Sequence, residues 1–278
     1  MNAVNGPLVS IVIPSFNQLR YLPFTIDSVL RQSYKNIEII IVDGCSTDGS
    51  AEYLLSISKK INKLIIEPDK GQADAINKGV KFCSGVYVTW LNSDDILYEN
   101  AITELVAHFD KTKVDFIYGD VDIIDSSGKC VSKITGRNVS SNDILTSFNI
   151  GIPQQGATWR KDILNANFLD IRLNYQLDRK LFIESVLSFS CSYLPITLGG
   201  FRSHDSSKSR SYSVKWCEEA IMLYSEMSLY TEKENLKIQI LATGYLLSGY
   251  FHFKGSRFNL AIRDVSKWAF LNISRFLK

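Results

Sequence analysis

The sequence of 278 residues lacks the features that mark several classes of protein. Its five cysteines (Cys45, Cys83, Cys130, Cys191 and Cys217) are odd in number and include no C-x-x-C pair, which argues against a disulfide framework and a zinc site. Only 6 residues are proline and 45% are hydrophobic, values that exclude a disordered chain. We expect a folded globular protein with its own core, in a reducing cytosol.

Charge of one sign and long apolar runs are also scarce. The chain has 31 basic and 29 acidic residues, so its net charge of +2 gives no reason to expect nucleic acid as a partner. No basic stretch precedes the first apolar run, which ends at Pro14 and therefore predicts a strand rather than a signal peptide. The uncharged stretch 238–253 contains polar residues and is short for a bilayer span. We expect a cytoplasmic protein without a transmembrane segment.

Apolar periodicity predicts that strands and helices alternate through the first 118 residues. The predicted strands are 8–13, 37–42, 63–66, 86–91 and 114–118, and the predicted helices are 21–32, 48–60, 71–82 and 100–109. This alternation is typical of a mainly parallel sheet with helices on both faces. Ligands of such sheets bind at the carboxyl ends of the strands.

Beyond residue 119 the pattern is less regular. It predicts a hairpin around 125–128, a short helix from Ser140, a strand near 156–159 and a helix from about Asp178. From Val214 to its end the chain is predicted to be helical, as an appended region.

Two adjacent carboxylates, Asp94 and Asp95, follow the predicted strand at 86–91. Adjacent acids repel each other and are tolerated best where a cation or hydrogen-bond donors share their charge. A divalent cation that holds a diphosphate needs only one or two protein carboxylates, because phosphate and water complete its shell. The alternative is that Asp95 caps the next helix while Asp94 is merely solvated.

Four segments at predicted strand ends carry a resemblance to a known family. They are SIVIPSFN (Ser10–Asn17), IIVDGCSTDGS (Ile40–Ser50), EPDKGQADAINKG (Glu67–Gly79) and WLNSDD (Trp90–Asp95). In this order they resemble the family 2 glycosyltransferases, inverting enzymes of GT-A fold that use nucleotide-activated sugars. The resemblance is close over about the first 125 residues and looser to about residue 210.

The resemblance implies a Rossmann-type mixed α/β sheet flanked by helices, with a C-terminal helical extension. We expect a GT-A catalytic domain at 1–213, with a nucleotide-sugar half at about 1–125 and an acceptor half at about 126–213. The helical region would then occupy 214–278.

Site residues follow from the same resemblance. The nucleotide-sugar is expected to contact Pro14, Ser15, Asn17, Asp43, Asp69, Gln72, Asn92 and Ser93. Asn92-Ser93-Asp94 stands where the family has its D-x-D motif, so Asp94 is expected to bind Mg²⁺ or Mn²⁺. His204, in an R-x-H element, is expected to contact the metal or a phosphate; a solvated loop histidine is the alternative. Ile76 stands where many relatives have arginine, and Gln72, Asp74 or Lys78 are candidates for the missing contact.

Inverting transfer also needs a base that removes the proton of the acceptor hydroxyl. Asp178, in a segment that resembles the family's acidic motif at a helix start, is the expected base. The alternative is an acid that merely favours the helix dipole. Trp159, on the acceptor side, is a candidate for stacking on a sugar, and a buried core position is the alternative.

The segment 257–278 carries five basic residues against a single acid, Asp264. At helical spacing its apolar residues form one stripe with the basic residues mostly opposite, a pattern that suits the surface of an anionic membrane. Packing of the stripe on the catalytic domain is equally compatible with the pattern.

These observations predict a metal-dependent hexosyl- or N-acetylhexosaminyltransferase. By analogy with the family, the donor would be a UDP-sugar and the acceptor a saccharide or polyprenyl-linked sugar of a bacterial envelope polysaccharide such as O-antigen, lipopolysaccharide or capsule. The protein would act in the cytoplasm or peripherally on the inner face of the plasma membrane. A nucleotidyltransferase or dehydrogenase is disfavoured, because the turn Pro14–Asn17 contains no glycine. A non-catalytic relative that binds a nucleotide-sugar or a partner protein is the alternative.

Overall fold

The structure, a computed structural model, describes residues 6–147, 149–165, 168–205, 207–208, 214–254, 264 and 267. They form two compact units, each described by itself. The first unit holds the described residues of Met1–Asn138, Gly151–Ile171 and Ser188–His204. The second holds those of Val139–Ile150, Arg172–Leu187 and Asp205–Lys278.

The first unit is built on one mixed sheet of nine strands. These strands are β1 (Val9–Ser15), β2 (Ile37–Asp43), β3 (Lys63–Ile66), β4 (Tyr87–Trp90), β5 (Ile96–Leu97), β6 (Phe116–Ile124), β7 (Cys130–Ile134), β8 (Thr158–Arg160) and β9 (Cys191–Arg202). Their order is β3-β2-β1-β4-β8-β6-β9-β5, with β7 beside β6. The helices of this unit are α1 (Leu22–Leu30), α2 (Ser50–Ser56), α3 (Gln72–Val80) and α4 (Ala101–Thr112).

Four neighbouring strands of the sheet are parallel, and their carboxyl ends set the position of the candidate site. β3, β2, β1 and β4 run in the same direction, with Ser15 beside Asp43 at the carboxyl ends of β1 and β2. β8 lies antiparallel between β4 and β6. The predicted parallel part is therefore confirmed, and the sheet as a whole is mixed, as the family resemblance implies.

Continuous apolar sequence explains the central strands. All seven residues of β1 are buried, which suits a strand covered on both faces. Trp159 of β8 is fully buried and stacks on Trp90 and Phe116, with ring centroids 5.3 Å and 4.6 Å apart. Trp159 is thus a core residue, and the alternative that it stacks on a sugar is wrong.

The strand β9 was not predicted. It pairs with β6, but its register shifts where Leu194 lies beside Gly119 and Thr197 lies beside Asp120. Pro195 sits in the resulting bulge, where a missing N–H is tolerated. Because a proline within an apolar run argues against a strand, the sequence pattern does not predict β9.

The helices of the second unit are α5 (Ser141–Thr146), α6 (Leu177–Ser188), α7 (Val214–Met227) and α8 (Glu234–Lys254). The last residue of α6, Ser188, is assigned to the first unit. Ser140 begins α5 with a capping box, in which its hydroxyl and the Asp143 carboxylate bond each other's backbone. The Thr243 hydroxyl of α8 donates to the Thr146 carbonyl of α5 at 3.0 Å. Helices predicted from Ser140, near Asp178 and from Val214 are therefore confirmed.

Other predictions fall outside what the structure describes. The basic segment 257–278 lies outside the described residues, except for Asp264 and Lys267, and its contact with a membrane stays a prediction. Within the described part of the chain, no helix is both long and apolar enough to cross a membrane. The domain boundary expected after residue 213 also stays a prediction.

Truncating the stacked tryptophan tests this core. Trp159→Ala should lower the free energy of unfolding by about 3–5 kcal/mol, because it leaves a cavity between two aromatic rings. Leu55→Ala, at a side chain that is 58% exposed on α2, is the control and should change it by less than about 0.5 kcal/mol. Urea denaturation of the three proteins measures both values. Equal stability of the two variants would contradict the packing described.

Candidate functional site

The carboxyl ends of β1 and β2 are joined by the carboxylate of Asp43. The Ser15 hydroxyl donates to Asp43 Oδ2 at 2.8 Å. The backbone N–H and the hydroxyl of Ser46 donate to Oδ1 and Oδ2, each at 2.8 Å. Because Asp43 is completely buried, these bonds hold the loops after both strands in place. Its predicted contact with a base or ribose stays a prediction.

Asn17 fastens the same two loops together. Its φ of 51° is a left-handed conformation that Asn tolerates better than most residues. Its backbone N–H donates to Ser46 Oγ, and its side-chain oxygen accepts the Thr47 N–H, both at 2.8 Å. Pro14 is buried within β1. Asn17 is exposed beside the strand ends. The expected contacts of Pro14 and Asn17 with a nucleotide stay predictions.

Asp69 and the ring of Phe16 both lie against Gly44. A Cβ atom on Gly44 would come within 2.5 Å of Asp69 Oδ2 and 3.2 Å of the Phe16 ring, so a larger residue there would displace the Asp69 carboxylate. Asp69 Oδ1 accepts the Gly71 N–H at 2.8 Å. Phe16 is 58% exposed, and such a ring face offers a surface on which a planar base can stack. Phe16 was not among the predicted site residues.

Asn92, at the first position of the predicted metal motif, is held by neutral amides. Gln72 Nε2 donates to Asn92 Oδ1 at 2.7 Å. Asn92 Nδ2 in turn donates to Asp95 Oδ2 at 3.0 Å and to Gln154 Oε1 at 3.2 Å. The structure therefore brings Gln72 and Asn92 together, although they are 20 residues apart. Their contact with a ligand stays a prediction.

Asp95 does not cap the next helix, which was the alternative considered for it. The short strand β5 follows it, and α4 begins only at Ala101. Instead its carboxylate is buried, with Gln155 Nε2 donating to Oδ2 at 2.7 Å and the Arg202 backbone N–H donating to Oδ1 at 2.8 Å. Burial and the negative charge of Asp94 raise the pKa of Asp95 to about 8, against the effect of these donors.

Asp94 and His204 meet at the edge of this cluster. His204 Nε2 lies 3.1 Å from Asp94 Oδ2. The Asp94 side chain is 21% exposed and that of His204 only 4%, so the alternative of a solvated loop histidine is wrong. Arg202 Nε donates to the Asp94 carbonyl at 2.8 Å, and the Tyr21 ring lies 4.6 Å from the His204 ring.

The pair of Asp94 and His204 fits a divalent cation. A partly exposed carboxylate oxygen and an imidazole nitrogen are both suitable ligands, and they already lie together. Among the described residues, no group of three or more His, Cys, Asp or Glu side chains converges as a metal site. An ion held by only two protein groups keeps its remaining positions for phosphate and water.

The remaining residues of the first unit that the sequence analysis named have no hydrogen bond described here to Asp94, Asp95 or His204. Ser93 is buried within the predicted metal motif, and its contact with a nucleotide-sugar stays a prediction. Ile76, where the resemblance implies arginine, is buried in α3. Lys78 Nζ forms an ion pair with Glu67 Oε1 at 2.9 Å and lies 3.6 Å from Asp74 Oδ2. Lys78 and Asp74 are thus engaged with each other in this structure, and a role in nucleotide binding stays a prediction for both.

Asp178, the expected base, belongs to the second unit. It is the second residue of α6, and its Oδ1 accepts the Arg179 N–H at 2.7 Å. Burial raises the pKa of Asp178 above its usual value, against the favourable charge of Arg179. Its role as the base stays a prediction.

Three polar side chains around Asp94 and Asp95 were not among the predicted site residues: Gln154, Gln155 and Arg202. Gln154 Nε2 donates to the Trp90 carbonyl at 3.0 Å, as well as holding Asn92. Arg202 belongs to the R-x-H element, in which only His204 was assigned a role. The two glutamines have a weak sequence signal, because such pairs are common in loops. Only the folded sheet brings them to the carboxylates.

The fold of the chain is that of the GT-A glycosyltransferases. Residues 1–349 of TarS of Staphylococcus aureus, solved with UDP-GlcNAc, superimpose with a TM-score of 0.72 at 17% identity, covering 94% of this chain and 80% of that fragment. The mannosyltransferase PcManGT of Pyrobaculum calidifontis, in complex with GDP-Man and Mn²⁺, superimposes with a TM-score of 0.63 at 13% identity, covering 98% and 80%.

The chain belongs to glycosyl transferase family 2, whose model matches residues 10–163. It is 32% identical over 145 residues to WfgD of Escherichia coli, a UDP-Glc:α-D-GlcNAc-diphosphoundecaprenol β-1,3-glucosyltransferase. This match covers 52% of the chain and 57% of WfgD. For other curated relatives the matched part is as little as 21% of their length.

Substitutions at Gln155 test the network around Asp95. Gln155→Leu should lower the free energy of unfolding by about 1–3 kcal/mol, because the buried carboxylate loses a donor. Gln155→Glu should cost more, since it removes the same N–H donor and buries a second ionisable group beside Asp95. Urea denaturation at neutral pH gives both values. If Gln155→Glu were as stable as the wild type, the described bond would be contradicted.

Proposed function

We propose that the chain is an inverting glycosyltransferase that moves a hexose or N-acetylhexosamine from a UDP-sugar to a hydroxyl group of a saccharide or lipid-linked acceptor. The observation that carries the proposal is the pair Asp94 and His204 at the carboxyl edge of the parallel strands, in a chain of family 2. Nucleotide ligands of such sheets bind at the carboxyl ends of the strands, which is where the partly exposed carboxylate of Asp94 lies.

The donor nucleotide would bind beside the ends of β1 and β2. The exposed Phe16 ring offers a stacking face for the base, and Asp69 and Asn17 offer oxygen atoms to its edge or ribose. The bond from Ser15 to Asp43 holds the ends of β1 and β2 together. The names of WfgD and the TarS complex support uridine nucleotides.

A divalent cation, Mg²⁺ or Mn²⁺, would be held by Asp94 and His204. When bound, such a cation supplies positive charge to the diphosphate leaving group. His204 must be neutral to serve as a ligand. Asn92 is hydrogen-bonded to Gln72 and carries no charge. Its amide would donate a hydrogen bond to the sugar or phosphate of the donor, or accept one from the sugar.

Asp178 would act as the general base. Its raised pKa increases its affinity for a proton, which suits a general base. The acceptor oxygen forms a bond to the anomeric carbon, the bond from that carbon to the diphosphate oxygen breaks, and the hydroxyl proton passes to Asp178. Attack from the face opposite the leaving group inverts the anomeric configuration.

The acceptor and the cellular setting are proposed from relatives. WfgD acts on a sugar linked to diphosphoundecaprenol by its name, so a polyprenyl-linked saccharide of an envelope polysaccharide, such as O-antigen or capsule, is proposed here. Such an acceptor would place the protein at the inner face of the plasma membrane.

Donor binding is the first prediction of this proposal. Saturating UDP-sugar with Mn²⁺ should raise the melting temperature by roughly 5–10 °C, as expected for a ligand at about 100 times its Kd. Asp94→Ala should lose the metal-dependent part of this shift, because it removes the carboxylate ligand. Asp110→Ala, at an exposed acid of α4, should keep it. A full shift in Asp94→Ala would contradict the assignment of Asp94 to the metal.

Loss of the base gives the second prediction. Asp178→Asn should reduce kcat by about 10²- to 10⁴-fold and leave the donor-dependent melting shift intact, because the amide cannot accept the proton. Release of UDP in the presence of a GlcNAc-diphosphate lipid measures kcat. Glu218→Gln, at an exposed acid of α7, is the control and should match the wild type. Undiminished transfer by Asp178→Asn would exclude this residue as the base.

A further inference from the structure

We propose that Glu219 of α7 is a positioning residue for Asp178. The inference rests on the proposed function, in which Asp178 is the base. All of the contacts that carry it lie within the second unit.

The carboxylate of Glu219 binds three consecutive backbone N–H groups. Asn174 N–H donates to both carboxylate oxygens at 3.0 Å, Tyr175 N–H donates to Oε2 at 2.7 Å, and Gln176 N–H donates to Oε2 at 3.1 Å. These residues immediately precede α6, in which Asp178 is the second residue. Glu219 thus holds the turn from which the base projects.

The chemistry of this contact requires an anion. Glu219 is only 5% exposed, and a buried carboxylate is stable only where donors satisfy it. Backbone N–H groups that precede a helix have no carbonyl partner within it, so they need an acceptor from elsewhere. One carboxylate meets both needs, and its charge strengthens each bond.

Helix α7 also holds the residues that follow Asp178. Arg179 Nη1 donates to the Tyr224 hydroxyl at 2.7 Å, and Lys180 Nζ lies 3.7 Å from Glu226 Oε2. Contacts with α7 therefore occur on both sides of Asp178 along the chain. Because both ends of this short segment are tied to one rigid helix, its first turn has little freedom to shift.

This arrangement gives part of the C-terminal helical region a role in the reaction. That region, from residue 214, was expected to be an appended extension. A displacement of about 1 Å in a reacting group is enough to reduce a rate about 100-fold. Removing Glu219 should therefore impair the chemical step without affecting the donor site, whose residues belong to the first unit.

Two substitutions at Glu219 test the inference, with Glu218→Gln as the matched control on the same helix. Glu219→Ala should reduce kcat by about 10- to 100-fold, with the KM for UDP-sugar within about twofold of the wild type. Glu219→Gln should lose less activity, because its amide oxygen still accepts from the turn. It keeps the test valid if Glu219→Ala fails to fold. UDP release with UDP-glucose or UDP-GlcNAc and a GlcNAc-diphosphate lipid measures these constants.

Amide hydrogen exchange of residues 174–176 supplies a readout that does not depend on activity. Exchange there should be faster in both Glu219 variants than in Glu218→Gln, since the N–H groups lose a charged acceptor. Unchanged exchange, or an active wild type whose Glu219 variants keep the kcat of the control, would overturn this inference alone. A wild-type chain that transfers no sugar would overturn the proposed function as well.

Discussion

The buried carboxylate of Asp95 is the group on which the geometry of the first unit's strand-end site depends. It receives hydrogen bonds from the Arg202 backbone, the Gln155 amide and the Asn92 amide, which come from three separate segments of the chain. A carboxylate without water must keep such donors. Separating these segments would therefore leave a buried carboxyl group without hydrogen-bond partners, and the network holds the neighbouring Asp94 at the edge of the sheet.

Parallel pairing supplies the second half of the site. Because β1 and β2 end side by side, Ser15 meets Asp43 and the loop after β1 carries Asn17 to this edge. The loop after the parallel strand β3 brings Asp69 against Gly44 at the same edge. The resemblance implies an acid where Asn92 stands, and the amides of Gln72 and Gln154 surround it, so this position adds no charge to the edge. A diphosphate would bring its own negative charge there, which a divalent cation would offset.

The sequence predicts most of this because the central strands are continuous apolar runs, and polar residues that follow such runs must meet at one edge. The strand Cys191–Arg202 escaped prediction, since Pro195 and the pair Gly199-Gly200 interrupt its apolar pattern. The proline is accommodated because it lies in a bulge. Gln155 and Arg202 also escaped, because their role depends on a buried partner distant in sequence. Likewise, the contact of Glu219 with residues 174–176 has no local signature.

In the proposed reaction, each unit contributes one kind of group. The first holds the strand-end residues for the donor, and the second holds Asp178 at the start of a helix whose preceding turn is bound by Glu219. The most direct test of this account is the anomeric configuration of the product, read by proton NMR after transfer from an α-linked UDP-sugar. A base that activates the acceptor for single displacement predicts a β-linked product, and an α-linked product would contradict it.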